Sequence, residues 1–332
     1  MAGSGDEIRE RVEAFARGQL GAGARPRIEG LDRVLVGRSR ENWLFDLVWQ
    51  DADREVHESL IVRRDPLGGL LETDRAVEFA VLRALEPSEV PAPRARWLDP
   101  TGDSLGRPSL VMRREPGVCD YFVLNGDRPL GERARLAERF CDLLARIHLV
   151  DWRALGMGAF LGDPGPWASH AELDRWEAVL RRDQLEPYPG LDAALAWLRA
   201  AAPPSQGTVL VHGDVKAGNI LLEGERVVAL LDWELAHLGD PMEDLGWVTQ
   251  PLRTKEHLIA GAWERHQLLA RYQATAGIDV DEASVAWWNV LATYKTAVMQ
   301  VSGLRSFVEG RCEEPYRLTR TVARTLAEAT GT

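Results

Sequence analysis

The stretch Val211-His212-Gly213-Asp214-Val215-Lys216-Ala217-Gly218-Asn219, followed by Leu231-Asp232-Trp233-Glu234, holds a carboxylate, an amide and a second carboxylate in that order. Phosphoryl transfer from a nucleotide needs this set. One carboxylate receives the proton of the attacking hydroxyl, and the amide and the other carboxylate hold Mg2+, which keeps waters and bridges phosphates.

Such residues need an apolar scaffold. Thr208–Val211 reads as a short strand, and Ile220–Leu222 and Val227–Leu231 as two more. Glu223-Gly224-Glu225-Arg226 between the latter two suits a tight hairpin turn. The loop between the first two strands then lies beside the end of the third, where Asp214, Asn219 and Asp232 can converge. Taken singly, each of these residues also fits a solvated loop with an Asx turn. The whole arrangement favours a site. Lys216, on the same loop, can reach a transferring phosphoryl group and offset its charge, or stay a solvated loop lysine.

The chain resembles the aminoglycoside phosphotransferase-like family, small-molecule kinases related to protein and choline kinases. Within it, the chain is most similar to the branch containing the kinase domain fused to some acyl-CoA dehydrogenases. The resemblance runs from about Val34 to the last helix and is most specific from His212 to Trp247, including Gly239-Asp240-Pro241-x-x-Asp244-Leu245-Gly246-Trp247. It implies an α+β, protein-kinase-like bilobal fold. An antiparallel-sheet nucleotide-binding lobe (1–114) precedes a mainly helical catalytic and acceptor-binding lobe (115–332). It further implies ATP or GTP as donor and Mg2+ as cofactor. Asp214 is then the base, Asn219 and Asp232 are metal ligands, and Asp240 and Asp244 brace the catalytic loop.

Composition sets bounds. With 332 residues, 45% hydrophobic and 27% charged, two lobes with a large core are a fair expectation. A net charge of −11 argues against a nucleic-acid binder. No apolar run approaches a membrane span, and the N-terminus shows no basic-then-apolar signal pattern. Cys119, Cys141 and Cys312 are odd in number and widely spaced, which fits a reducing cytoplasm without a disulfide framework or zinc spacing. Cys141 lies in an apolar run and reads as core.

Asp6–Gln19 reads as the first helix, and Arg33–Gly37, Trp43–Trp49 and Ser59–Arg64 as three antiparallel strands. The Gly/Ser turn between the first two can bring backbone N–H groups to a phosphate. The resembling family places its nucleotide loop here, with Gly37, Ser39 and Asn42 matching loosely. Kinases carry a phosphate-binding lysine on the third strand, paired to a helix glutamate. Arg63 occupies that position, as in the resembling branch, and Arg64 points to the other face. The helix Asp74–Leu85 supplies Glu78, either solvated or paired with Arg63. By resemblance, Ser109–Met112 leads into the hinge, where backbone groups of Met112 to Arg114 read the adenine edge.

In the second lobe, Leu130–Leu149, Trp167–Arg182, Leu191–Ala201, Lys255–Gly277, Asp281–Ser302 and Tyr316–Ala329 read as helices. His148 reads as a satisfied helix-terminal histidine or as a support for the catalytic loop. One of Trp287 and Trp288 is expected to face the core. Lys295 either snorkels outward or faces an anionic group in the acceptor cleft.

Three function classes compete. A pseudoenzyme would usually lose the base or a metal ligand, yet Asp214, Asn219 and Asp232 are all present. A hydrolase using His212 and Asp214 lacks a nucleophile in a G-x-S-x-G turn. A small-molecule kinase remains. Polycationic aminoglycosides require a carboxylate-dense cleft, whereas Lys295, Arg305, Arg317, Arg320 and Arg324 make the C-terminal stretch net basic. A neutral or anionic acceptor is therefore expected, with a hydroxyacyl-CoA suggested by the dehydrogenase-fused relatives and an antibiotic as the alternative.

Overall fold

A computed structural model of the chain describes residues 5–21, 23–34, 41–52, 54–66, 73–312 and 315–331. The first half comprises α1 (Gly5–Leu20), β1 (Arg27–Val34), β2 (Glu41–Asp51), β3 (Arg54–Arg64), α2 (Arg75–Leu85), β4 (Ala95–Asp99) and β5 (Ser109–Arg113). The strands form one antiparallel sheet in the order β1-β2-β3-β5-β4. Strict alternation divides its faces. Trp43, Phe45, Leu47, Leu60, Val62 and Val111 point to α1, whose Ile8, Val12 and Phe15 complete one cluster. Leu110 and Met112 point the other way, onto Val81, Leu82 and Leu85 of α2. Asp74 caps α2 by accepting from the Ala76 N–H at 2.7 Å.

The first strand, Arg27–Val34, begins earlier than the expected Arg33, and positions 35–37 of the expected strand lie outside the described residues. As an edge strand bulged at Gly30, it tolerates charges that disguise it in sequence.

The second half contains α3 (Leu130–His148), α4 (Gly158–Leu161), α5 (Ala168–Asp183), α6 (Pro189–Ala200), β6 (Val209–Val211), β7 (Ile220–Glu223), β8 (Arg226–Leu230) and β9 (His237–Gly239). Then follow α7 (Pro241–Thr249), α8 (Thr254–His257), α9 (Arg265–Ala276), α10 (Glu282–Val308) and α11 (Arg320–Thr330). Helix α10 is packed by α5, α6, α7 and α11, so it is apolar on all sides and buries both Trp287 and Trp288 rather than one. A Cβ on Gly246 would stand 2.4 Å from the Trp288 Cβ; glycine is what lets α7 approach α10. The helix expected over Lys255–Gly277 is two, α8 and α9, parted by the Ile259–Trp263 bridge.

β7 and β8 form the expected hairpin, turning at Gly224. β6 instead pairs with β9, a three-residue strand too short to show a period. One apolar cluster runs from α2 and the inner face of β5 through the whole helical half, so the two halves are packed together.

Candidate active site

The loop leaving β6 is held by its backbone. The Asp244 carboxylate, on α7, accepts the N–H groups of His212 and Gly213, each at 2.9 Å. Gly213 has φ +81, and a Cβ there would press on Leu235 at 3.1 Å. His148 Nε2 approaches Asp244 at 3.2 Å, while its Nδ1 accepts from the Tyr272 hydroxyl at 2.6 Å. His148 therefore supports the loop through Asp244. Burial pushes the Asp244 carboxyl up, but the hydrogen bond from His148, with that of the His212 N–H, brings it down to about 2. Asp240 acts elsewhere. It caps α7 at the Met242 N–H and takes the Gln206 N–H ahead of β6, both at 2.7 Å.

His212 Nδ1 accepts from the Asp214 N–H at 3.1 Å, and Nε2 donates to the Leu231 carbonyl at 3.0 Å. Those partners call for the neutral tautomer, and burial lowers its pKa to match. His212 thus links the Asp214 loop to the residue before Asp232.

Asp214, Lys216 and Asn219 come together. Lys216 Nζ lies 2.5 Å from Asp214 Oδ2, and Asn219 Nδ2 donates to the same oxygen at 3.1 Å and to the Asp214 carbonyl at 3.0 Å. Lys216 is therefore paired rather than solvated. The Leu231 N–H donates to the Asn219 carbonyl at 2.8 Å, which brings Asp232 to the same place.

Asp232 is left-handed, with φ 62 and ψ 57, at a cost of about 1–2 kcal/mol for a residue with a side chain. Its carboxylate pairs with the Arg63 guanidinium. Arg63 also reaches Glu78 Oε1 at 3.1 Å. Burial works against the Arg63 charge, and Asp232 and Glu78 more than offset it, so its pKa is raised. Asp232, together with the Asn219 Oδ1 left over once Nδ2 is spent on Asp214, makes a hard oxygen donor set of the kind Mg2+ takes alongside phosphate.

Arg64 faces the opposite side of the sheet, where Glu41 meets it at 3.4 Å. Arg63→Ala is accordingly expected to weaken nucleotide binding about 10–100-fold, the scale of a lost charged hydrogen bond. Arg64→Ala should leave it near wild type. Calorimetry on both folded variants decides; equal losses would put the phosphate contact elsewhere. Asn42 lies across from Arg63 on β2, and its Oδ1 is buried without a hydrogen-bond partner among the described residues. Gly37 and Ser39 lie outside the described residues.

At the expected hinge, the Met112 side chain is core. The Arg113 N–H donates to the Arg94 carbonyl and the Arg114 N–H to the Ser59 carbonyl, each at 2.9 Å. Any contact of this stretch with a base therefore falls to carbonyls. The Arg114 side chain is bound to Asp46 and Ser59.

Lys295 does not snorkel. It is 4% exposed, 2.6 Å from Glu172 Oε1 and also paired with Glu243. Burial disfavours its charge, and the two carboxylates outweigh burial and raise its pKa. Ligand-type atoms of Glu172, His237 and Glu243 lie within 4.8 Å of one another, and the ammonium already supplies a cation to both carboxylates. Arg305 is spent on Glu309 and the Arg182 carbonyl. Arg317, Arg320 and Arg324 are exposed, and α11 packs on α6 and α10.

The segment after the hinge does adjoin that loop. The Tyr121 ring sits so close to Gly218 that a Cβ there would stand 2.7 Å from its Cδ2. The Tyr121 hydroxyl donates to Glu256 Oε1 at 2.6 Å, and Arg253 pairs with Glu256 at 3.1 Å. Burial, then Glu256, pushes the phenol up to about 12. Phe122 stacks edge-on against Tyr121 and is 57% exposed, beside the equally open Val118. In sequence these residues show neither period nor motif.

The family model of the phosphotransferase enzyme family matches residues 36–288. Acyl-CoA dehydrogenase family member 10 of Mus musculus is 30% identical over 243 residues, covering 72% of this chain but 22% of that protein. The chain thus spans under a quarter of that relative's length. A structure from Ralstonia eutropha JMP134, described as a candidate aminoglycoside phosphotransferase, superposes with TM-score 0.72 at 22% identity over 97% of this chain and 98% of its own. The streptomycin–ATP ternary complex of APH(2")-IIa does so with TM-score 0.59 at 16% identity, over 91% of each chain. These likenesses show the two-lobed, protein-kinase-like fold. Among the described residues, no helix is long and apolar enough to cross a membrane.

Proposed function

Because the chain belongs to the phosphotransferase enzyme family, we propose that it transfers the γ-phosphoryl group of ATP or GTP, carried with Mg2+, to a hydroxyl of a small molecule. The observation that supports this most is the Asp214 carboxylate, poised between Lys216 and Asn219 on a loop tied to Asp232. Asp214 takes the proton of the acceptor hydroxyl as its oxygen attacks. Lys216 lies beside it to offset charge gathering on the phosphoryl oxygens. Arg63, steadied by Glu78, contacts the α/β-phosphates, and Gly37, Ser39 and Asn42 are assigned to the same phosphates. Asn219 and Asp232 would hold the metal ion, which would supply positive charge to offset that of the phosphates.

The acceptor in this reading is neutral or anionic, with a hydroxyacyl-CoA as the candidate. The mouse relative, of which this chain spans under a quarter, is named as an acyl-CoA dehydrogenase family member. Tyr121 lies against Gly218, and it and Phe122, which packs on it, are exposed apolar side chains that suit an acyl chain. Glu256 and Glu243 suit an aminoglycoside poorly, because Glu256 is engaged by Tyr121 and Arg253, and Glu243 by Lys295. A desolvated polycation would need them unpaired.

The test is a nucleotide-consumption assay with Mg2+ against a 4-hydroxyacyl-CoA series and kanamycin-type sugars. Thioester-dependent turnover is expected. Sugar turnover with kcat/KM of order 10⁴ M⁻¹s⁻¹ or more, with none for the thioesters, would overturn the acceptor reading. A protein that binds no Mg–nucleotide and transfers no phosphate would overturn the kinase reading itself.

A further inference from the structure

We propose that Arg75 and Glu234 are positioning residues that close a ring of ion pairs between α2 and the turn after β8, holding Asp232 and Arg63 in place before any nucleotide arrives. The significance of that placement rests on the phosphotransferase reading, in which Asp232 is a metal ligand.

A strand cation paired with a helix glutamate needs only Arg63 and Glu78. Here Glu78 serves two arginines, with Oε1 to Arg63 and Oε2 to Arg75. Arg75 is 2% exposed and goes further. Its Nη2 donates to Thr73 Oγ1 at 2.6 Å and to Glu234 Oε2 at 3.2 Å, and its Nε lies 2.8 Å from Asp65 Oδ1. Only a planar fork can serve so many acceptors at once; an ammonium cannot.

The contacts close on themselves. They run from Asp232 to Arg63, Glu78, Arg75 and Glu234, and Trp233 joins Glu234 back to Asp232 along the backbone. The Trp233 indole is buried and donates to the Leu230 carbonyl at 2.8 Å, so the residue between the two acids is itself anchored. Asp232 cannot leave its left-handed conformation without carrying Glu234 away from Arg75. Nor can α2 swing outward without unpairing a buried guanidinium at both ends, which a low-dielectric setting disfavours. The ring therefore offsets the backbone strain at Asp232 and sets the α2 position in the ligand-free protein.

The first measurement is amide hydrogen exchange without nucleotide or metal, following residues 231–236 relative to α10, whose exchange reports global opening. Glu234→Gln is the primary variant, since it is nearly isosteric and its side chain is 21% exposed; Arg75→Met is the second. Both are expected to speed exchange at 231–236 about tenfold or more, and the double variant no more than the larger single effect, as coupled partners should. The second measurement is Mg–nucleotide affinity by calorimetry, expected to fall about 10–100-fold, as for outer-shell partners of a metal site, with the KM for acceptor unchanged. Exchange at 231–236 equal to wild type, or additive effects in the double variant, would overturn the inference. Wild-type protein that fails to bind Mg–nucleotide would instead overturn the functional reading, and the exchange result, obtained without ligand, would still decide the ring.

Discussion

Asp214→Asn is expected to lower kcat by roughly 10²–10⁴, the range for a positioned acid–base group, with Mg–nucleotide affinity retained. The substitution changes almost nothing else. The Asp214 side chain is half-buried, and its shape is kept. The backbone of the loop is fastened through His212 and Gly213 to Asp244, none of which is altered. An asparagine oxygen can still accept from Lys216 or Asn219, so the loop keeps its geometry and loses only the basic site. Steady-state turnover with a saturating acceptor, read beside nucleotide titration, separates the two effects. Near-normal kcat in a folded Asn variant would show that another group takes the hydroxyl proton.

The second large effect belongs to Asp232. Outer-shell partners of a metal cost about 10–100-fold in affinity when removed, and a direct ligand should cost at least as much. Asp232→Ala is therefore expected to abolish the Mg2+-dependent part of nucleotide binding and, with it, activity. Asp232→Asn is the informative companion. Asparagine tolerates the left-handed conformation and can still accept from Arg63, so fold and sheet should persist while the charge is gone. Nucleotide titration with and without Mg2+ decides between ligand and bystander. Metal-dependent affinity that survives in both variants would remove Asp232 from the metal site.

Much of the site was legible because its rules are local. Asp214 and Asn219 sit on one short loop between apolar strands, and Gly224 marks the hairpin that returns the chain to Asp232. The two-residue repeat of a strand places Arg63 and Arg64 on opposite faces. Asp74 announces the start of α2, and the apolar stripe of that helix turns Glu78 inward. The same local logic failed where no period exists, as at β9, and where an edge strand can afford charge, as at β1.

Sequence alone determined the elements that carry the site, its loop, its hairpin and the faces of the third strand, because propensity and periodicity act over a few residues. Partnership was decided only in three dimensions. Arg63 meets Asp232 across 169 residues, and Arg75 meets Glu234 across 159. Lys295 looks like a snorkelling lysine on its own helix. It stays buried because α5 and α7 bring Glu172 and Glu243 to it, and the desolvation that would expel a lone ammonium is offset by two carboxylates. The arginines of α11 make the same point: their helix packs on α6 and α10, and charge on a helix says nothing about what stands opposite it. Tyr121 packs against Gly218 because a side-chain-free position on the catalytic loop leaves room for its ring, a fit between distant segments that no single stretch of chain contains.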